Sequence, residues 1–512
     1  MKSLFKTVAL ITIFSVMTRI LGFVFRIILS RTVGAEGMGI YQVSLSVFMV
    51  LLTVISSGLP LIISRMSAGF STDKDKKKSG SLISSGLLYA LLLSLLLCSV
   101  VLIFKGLFSK IFTSDICYQL LLVLLPSLVF SSIYSVFRGA MWGKGNYFAL
   151  CVTEFYEQLV HIVLGTLLIG NTLSAAQNAL NLGWSMTIAC LLSAILVMLL
   201  FFYYGGSLKK PSRQYLRPLI KQSSPITAMR VAGSFIQPIV ALIIPARLIA
   251  IGYTNAQALS LYGIAVGMTL PLIFIPTTII GSLSTALVPD LSKAAAQNDQ
   301  SHIEKRITSS VFFALLISSM FVPMFLGMGE QIGLFLYDNI LSGTLLQSAA
   351  WVLLPLGLTN ISSALLNSLG FEKRTFLNYA IGAACMLLSL WFLPALIGVN
   401  SIMWGMGISY LVTATLNIIL LKRKTKANFN MMFPLLKLCL IILPSSALTA
   451  FVVSLCEYVF PMFISICIGV FVSLTSFFLL AGVIGFVDIR LFFVNLKQRL
   501  QSSRKKKKPK HA

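Results

Sequence analysis

Arg19 and Arg26 lie seven residues apart in the apolar run 6–30, and Arg230 lies in a second such run, 222–246. Seven residues are two helical turns, so a helix sets both guanidinium groups on one face with Thr12, Ser15 and Ser30. The second run repeats the device, placing Arg230, Ser234 and Gln237 on one face at the same seven-residue spacing. An arginine at mid-membrane costs at least about 2.5–3.5 kcal/mol on insertion scales, so it must meet a cavity or a partner. Guanidinium is a planar fork that bonds two phosphate oxygens at once. Arg19, Arg26, Arg230 and Gln237 are therefore candidate substrate-binding residues for an anionic head group. The alternative role is an internal ion pair that fixes helix packing.

Glu154, Glu157 and His161 share a face of the run 149–170 at spacings of three and four. Two carboxylates and a histidine suit a proton relay, and so a coupling role. They suit equally an ion pair with Arg138 or with one of the membrane arginines, or direct contact with substrate. Other chemistry finds little footing. The eight cysteines contain no CxxC pair, so neither a metal site nor a disulfide framework is expected. The outward loops carry scattered acids (Glu36, Asp115, Glu330, Asp338 and Glu457) and no histidine. The inward loops lack a phosphate-cradling Gly-rich loop, a Walker lysine and a paired acidic metal motif. No cofactor and no enzyme activity are expected.

The elements that must hold these groups follow from composition. Of 512 residues 57% are hydrophobic and only 11% charged, and the mean hydropathy is +0.93. A soluble core cannot bury that much apolar surface. Runs of about 20 apolar residues recur along the chain, and inside lipid their backbone must bond within each segment. The fold class is an all-α integral membrane protein. The runs predict fourteen helices: 6–30, 39–64, 81–104, 117–137, 149–170, 177–204, 222–246, 258–288, 306–328, 344–366, 375–396, 398–421, 434–456 and 460–487. Several are expected to be interrupted by proline, at Pro60, Pro126, Pro238, Pro271, Pro276 and Pro355. The first run lacks a small-residue cleavage site and reads as a permanent helix.

Charge sets the expected orientation. With the N-terminus inside, 33 of the 40 Lys and Arg residues fall in inward segments or at inward helix ends. Four face outward (Arg31, Lys105, Lys110 and Arg247), and three lie within helices. That asymmetry puts both termini in the cytoplasm of a multi-pass plasma-membrane protein. The net charge of +26 needs no nucleic-acid partner. Asp73–Lys78, Lys209–Lys221 and Arg504–Lys510 instead face the anionic lipids of the inner leaflet.

The chain also repeats itself. VLLP occurs at 123–126 and again at 352–355, an offset of 229 that also relates Pro60 to Pro289. This predicts two parallel-repeat six-helix lobes enclosing a cavity. The division is 1–206 for the N-terminal lobe, 207–221 for a basic linker and 222–424 for the C-terminal lobe. Residues 425–489 form helices 13 and 14, and 490–512 a basic tail.

Three stretches carry a family resemblance: TRILGFVFRIILSRTVGAEGMGIY (18–41), FRGAMWGKGN (137–146) with EQLV (157–160), and IPARLIAIGYTNAQALSLYGIAVGMTLPLIFIP (244–276). They resemble the polysaccharide transporter family of the multidrug/oligosaccharidyl-lipid/polysaccharide exporter superfamily, with lipid II flippases as more distant relatives. The resemblance implies alternating access and a cargo of undecaprenyl-pyrophosphate-linked saccharide, a peptidoglycan, spore cortex or polysaccharide precursor. It also implies that Arg19 and Arg26 correspond to the flippases' first-helix arginine pair. Ile27 stands where those flippases place Asp, and the arginine spacing is one residue longer. The alternatives are a cation-coupled multidrug exporter and an integral membrane glycosyltransferase or ligase. Drug-exporting relatives couple cations through membrane carboxylates, and helices 1, 7 and 8 have none before Asp290. The sugar, the coupling ion and the oligomeric state stay open.

Overall fold

A computed structural model describes residues 2–70, 76–297, 299–425 and 431–486. Positions 73–75 of the first basic cluster and the whole 490–512 tail lie outside the described residues. Among the described residues, fourteen helices are long and apolar enough to cross a membrane. They are α1 (Leu10–Thr32), α2 (Gly34–Ala68), α3 (Lys76–Ile103), α4 (Asp115–Gly143), α5 (Tyr147–Leu168), α6 (Ala175–Tyr203) and α7 (Arg213–Ala250). There follow α8 (Asn255–Ile273), α9 (Gln300–Tyr337), α10 (Ile340–Ser368), α11 (Glu372–Phe392), α12 (Pro394–Thr425), α13 (Phe433–Glu457) and α14 (Met462–Val483). Leu92, Leu95, Leu96, Leu199, Leu440 and Phe451 lie exposed along them, as lipid-facing side chains must.

Local sequence explains the helix ends. Ser174 and Gln177 form a reciprocal capping box at the start of α6, and Thr254 with Gln257 forms another at α8. The bends answer to more than proline. Pro60 follows a break at Ser57–Gly58 within α2. Pro126 instead leaves α4 uninterrupted, a correction to the sequence expectation. On α8, Gly263–Thr269 winds as π-helix. The chain breaks at Phe274, between Pro271 and Pro276, and resumes as a helix over Ile275–Ala296. α9 kinks at Met328 (φ −143°), between Gly327 and Gly329 and five residues beyond its only proline.

By packing, the described residues form two units. One runs up to Pro271 and includes Leu390–Ile402; the other holds Leu272–Ser389 and the residues from Met403 onward. The first unit thus contains α1–α7, nearly all of α8 and the junction of α11 with α12. Its core joins Ile62 and Ile63 of α2, Leu82 and Ile83 of α3, Val136 and Phe137 of α4, Phe201 of α6 and Leu219 of α7. Away from that core, near the start of α2, α2 and α8 cross backbone to backbone: a Cβ on Gly39 would penetrate the Leu259 carbonyl, and one on Gly263 would lie 2.5 Å from Gly39 N. Small residues permit this approach, and close packing rewards it where lipid supplies no hydrophobic drive. In the second unit a buried polar knot ties three helices. Asn417 Nδ2 donates to Ser362 Oγ (3.2 Å) and Ser363 Oγ (3.0 Å), while Asn378 Nδ2 donates to Asn417 Oδ1 (2.9 Å).

Candidate functional site

The polar interior of the first unit is built from five helices. α5 supplies Glu154, Glu157 and Gln158; α4 supplies Ser131, Tyr134, Ser135 and Arg138. Thr18 of α1, Leu52 and Ser56 of α2 and Ser193 of α6 complete the lining of a cavity of about 360 Å³. A second cavity of about 210 Å³ shares Glu157 and Gln158 and adds Tyr41, His161 and Met186 among others. The helical spacing that sets Glu154, Glu157 and His161 on one face is therefore real, but the three groups have different neighbours.

Glu154 pairs with Arg138, its Oε1 2.9 Å from Nη2. Both side chains are more than a third exposed, so this pair contributes little stability. Glu157 accepts from Ser193 Oγ at 3.0 Å and from Cys190 Sγ at 3.8 Å. His161 stands edge-on to Phe25 at 5.0 Å. Its Nε2 is buried, with no hydrogen-bond partner among the described residues. Tyr134 Oη and Thr153 Oγ1 lie 3.2 Å apart and hold α4 to α5.

The arginines divide in the same way. Arg26 is half-buried and within electrostatic reach of the Tyr41 hydroxyl, which lines the smaller cavity. Arg19 is exposed on α1, next in sequence to the cavity-lining Thr18. Arg230 is also exposed; its Nη1 donates to Ser57 O at 3.4 Å, at the bend of α2. Gln237 is exposed. Neither cavity is lined by Arg19, Arg26, Arg230 or Gln237.

Sequence reasoning missed Tyr41, Gln158 and the serines at 56, 131, 135 and 193. A signal was present for two of them: Tyr41 ends the first family stretch, and Gln158 lies in EQLV. The serines carry none, since hydroxyls are common on membrane helices and only packing selects which face inward. The lining offers carboxylates, hydroxyls, one amide, the Arg138 guanidinium and the His161 imidazole, groups that bond polar head groups. No cluster of three or more His, Cys, Asp or Glu able to hold a metal ion occurs among the described residues.

Comparison with known proteins gives this arrangement a context. The family described as polysaccharide biosynthesis protein matches residues 4–295, more than half the chain. Stage V sporulation protein B of Bacillus subtilis (strain 168) is 27% identical over 384 residues, covering 72% of this chain and 73% of that protein. Sporulation protein YkvU of the same organism is 21% identical over 320 residues, covering 60% and 70%. Among solved structures, a lipid II flippase MurJ in an inward closed conformation superposes with a TM-score of 0.70 at 14% identity, covering 93% of this chain and 98% of that one. A multidrug resistance MATE family transporter, inward-facing, gives 0.64 at 14% identity, covering 80% and 95%. At such identity both likenesses speak to the fold.

Proposed function

This chain belongs to the polysaccharide biosynthesis protein family, and from that premise we propose that it is a flippase for undecaprenyl-pyrophosphate-linked saccharide. The observation that carries the reading is the sign of the charge in the membrane. α1 and α7 present Arg19, Arg26 and Arg230, whereas the membrane carboxylates Glu154 and Glu157 share the single helix α5, where Glu154 is paired with Arg138. A cationic drug would be repelled by such a surface at low dielectric, and a pyrophosphate would be held. The fold is shared with a lipid II flippase, which supports this reading, and with a multidrug transporter, which the second reading below takes up.

In this mechanism the head group enters from the cytoplasm, where both termini lie, and its pyrophosphate is received by Arg19, Arg26 and Arg230. Gln237 and the hydroxyl-rich cavity of the first unit bond the polar remainder, and the isoprenoid tail stays in the bilayer. The lobes 1–206 and 222–424 then rock about the site, exposing the sugar outside a bacterial plasma membrane. Arg19→Ala, Arg26→Ala and Arg230→Ala should each cut translocation of a lipid-linked pyrophosphoryl sugar in proteoliposomes by tenfold or more, on the order of 1.4 kcal/mol. Lysine at these positions should restore part of it, because the charge survives without the fork. Wild-type transport by correctly inserted alanine variants would defeat the reading.

A cation-coupled exporter is the second reading, and Glu157 favours it: a membrane carboxylate bonded to a hydroxyl and a thiol. Efflux of ethidium-like cations that depends on Glu157 and ignores the arginines would decide for it.

A further inference from the structure

The basic linker is not a loose tether. Ser207 Oγ donates to Lys76 O (3.4 Å), the Lys209 N–H to Ser84 Oγ (3.2 Å) and Ser81 Oγ to Lys210 O (2.8 Å). The Ser212 N–H donates to Ser85 Oγ at 2.9 Å, and Ser85 Oγ donates back to Ser212 O at 3.2 Å. These bonds strap residues 207–212 along the first turns of α3 and fix where α7 begins. One face of α7 then packs inward. Tyr215 meets Phe70 edge-on at 6.2 Å, Leu219 is fully buried and Ser223 nearly so. The opposite face carries Arg213, Arg217 and Lys221, all exposed, at i, i+4 and i+8. With Leu216 and Ile220 they line a surface cavity of about 490 Å³.

We infer that Arg213, Arg217 and Lys221 form a binding site for an anionic diacyl phospholipid of the inner leaflet, with Leu216 and Ile220 against its acyl chains. Three observations favour this occupant over the pyrophosphoryl cargo. The cations are strung along about 12 Å of helix rather than converging on one compact diphosphate. They point away from the face that buries Leu219 and Ser223, and so away from the polar interior of the unit. The apolar side chains between them match a headgroup–acyl boundary, where lysine and arginine stems lie along apolar surface and their charges reach the phosphates. The inference rests on the membrane reading and on the inward side of the linker. It does not depend on what the protein carries.

The test is native mass spectrometry of protein released from nanodiscs containing equal phosphatidylglycerol and phosphatidylcholine. Wild-type protein should retain phosphatidylglycerol preferentially. The triple variant Arg213→Gln/Arg217→Gln/Lys221→Gln should lose about tenfold of that preference. Arg213→Lys/Arg217→Lys should keep most of it, showing that helix start and strap are intact. A control pair on another connection, Lys373→Gln/Arg374→Gln, should keep it fully. Equal loss in the control would reduce the effect to the general basic field and overturn the site. Retention in the triple variant would overturn it too. Displacement of phosphatidylglycerol by an isoprenyl diphosphate at equimolar amounts would assign the site to cargo instead. Because retention is read without transport, a failed flippase assay and a failed lipid site are separate outcomes.

Discussion

Alanine at Gly39 tests whether α2 and α8 meet as backbones. The new Cβ would sit 2.6 Å from the Leu259 carbonyl carbon and closer still to its oxygen. Ordinary contact begins near 3.4 Å, so one helix must retreat by about 1 Å. No rotamer change can absorb this, because the obstructing atoms are main chain. The facing Gly263 is equally closed, with Gly39 N 2.5 Å and Gly39 Cα 3.0 Å from its own would-be Cβ. Overpacking of this kind costs ~1–3 kcal/mol, and a rigid obstruction points to the upper half of that range. For a unit of this size the unfolding midpoint should fall by about 5 °C. The assay is thermal unfolding in detergent, followed by near-ultraviolet circular dichroism. Gly233→Ala is the matched control: nothing lies within 4 Å of its would-be Cβ, so it should be neutral or gain up to about 1 kcal/mol of helix propensity. Melting of Gly39→Ala and Gly263→Ala together with wild type, while Gly233→Ala shows no difference either, would refute the backbone crossing.

Three further outcomes are expected. A double-mutant cycle of Arg138→Gln and Glu154→Gln should give a coupling below about 1 kcal/mol, because both partners are partly exposed; a coupling above about 2 kcal/mol would mean the pair is dry. Asn417→Ala should destabilise the second unit by about 0.6–1.7 kcal/mol, since three polar neighbours lose their partner in an apolar setting, and equilibrium unfolding with an unchanged midpoint would show the knot is idle. In a cysteine-free background, cysteine at Ser174 or Asp338 should react with an impermeant thiol reagent from outside, and cysteine at Ser79 or Ser212 only after permeabilisation. Reversal at any two positions would overturn the inward placement of the basic segments.

The sequence by itself determined the number and approximate limits of the membrane helices and the sign of their intramembrane charge. Both are properties of a segment taken alone: a run of about 20 apolar residues must become a helix in lipid whatever its neighbours are. The shared face of Glu154, Glu157 and His161 was legible for the same reason, as it needs only the helical period. What each group meets was not legible. Arg138 and Glu154 lie on different helices, and whether guanidinium meets carboxylate depends on how α4 and α5 cross and are rotated. Packing alone decided that Glu157 would be held from α6 by Ser193 and Cys190, and that Tyr41 of α2 would close the same cavity. The limits of α7 moved as well, from an expected start at 222 to Arg213, because the strap to α3 supplies backbone partners that hydropathy does not encode. Proline misled at Pro126 and was absent at the Met328 kink, for whether a helix bends depends on whether neighbouring helices re-satisfy the freed carbonyls and fill the gap.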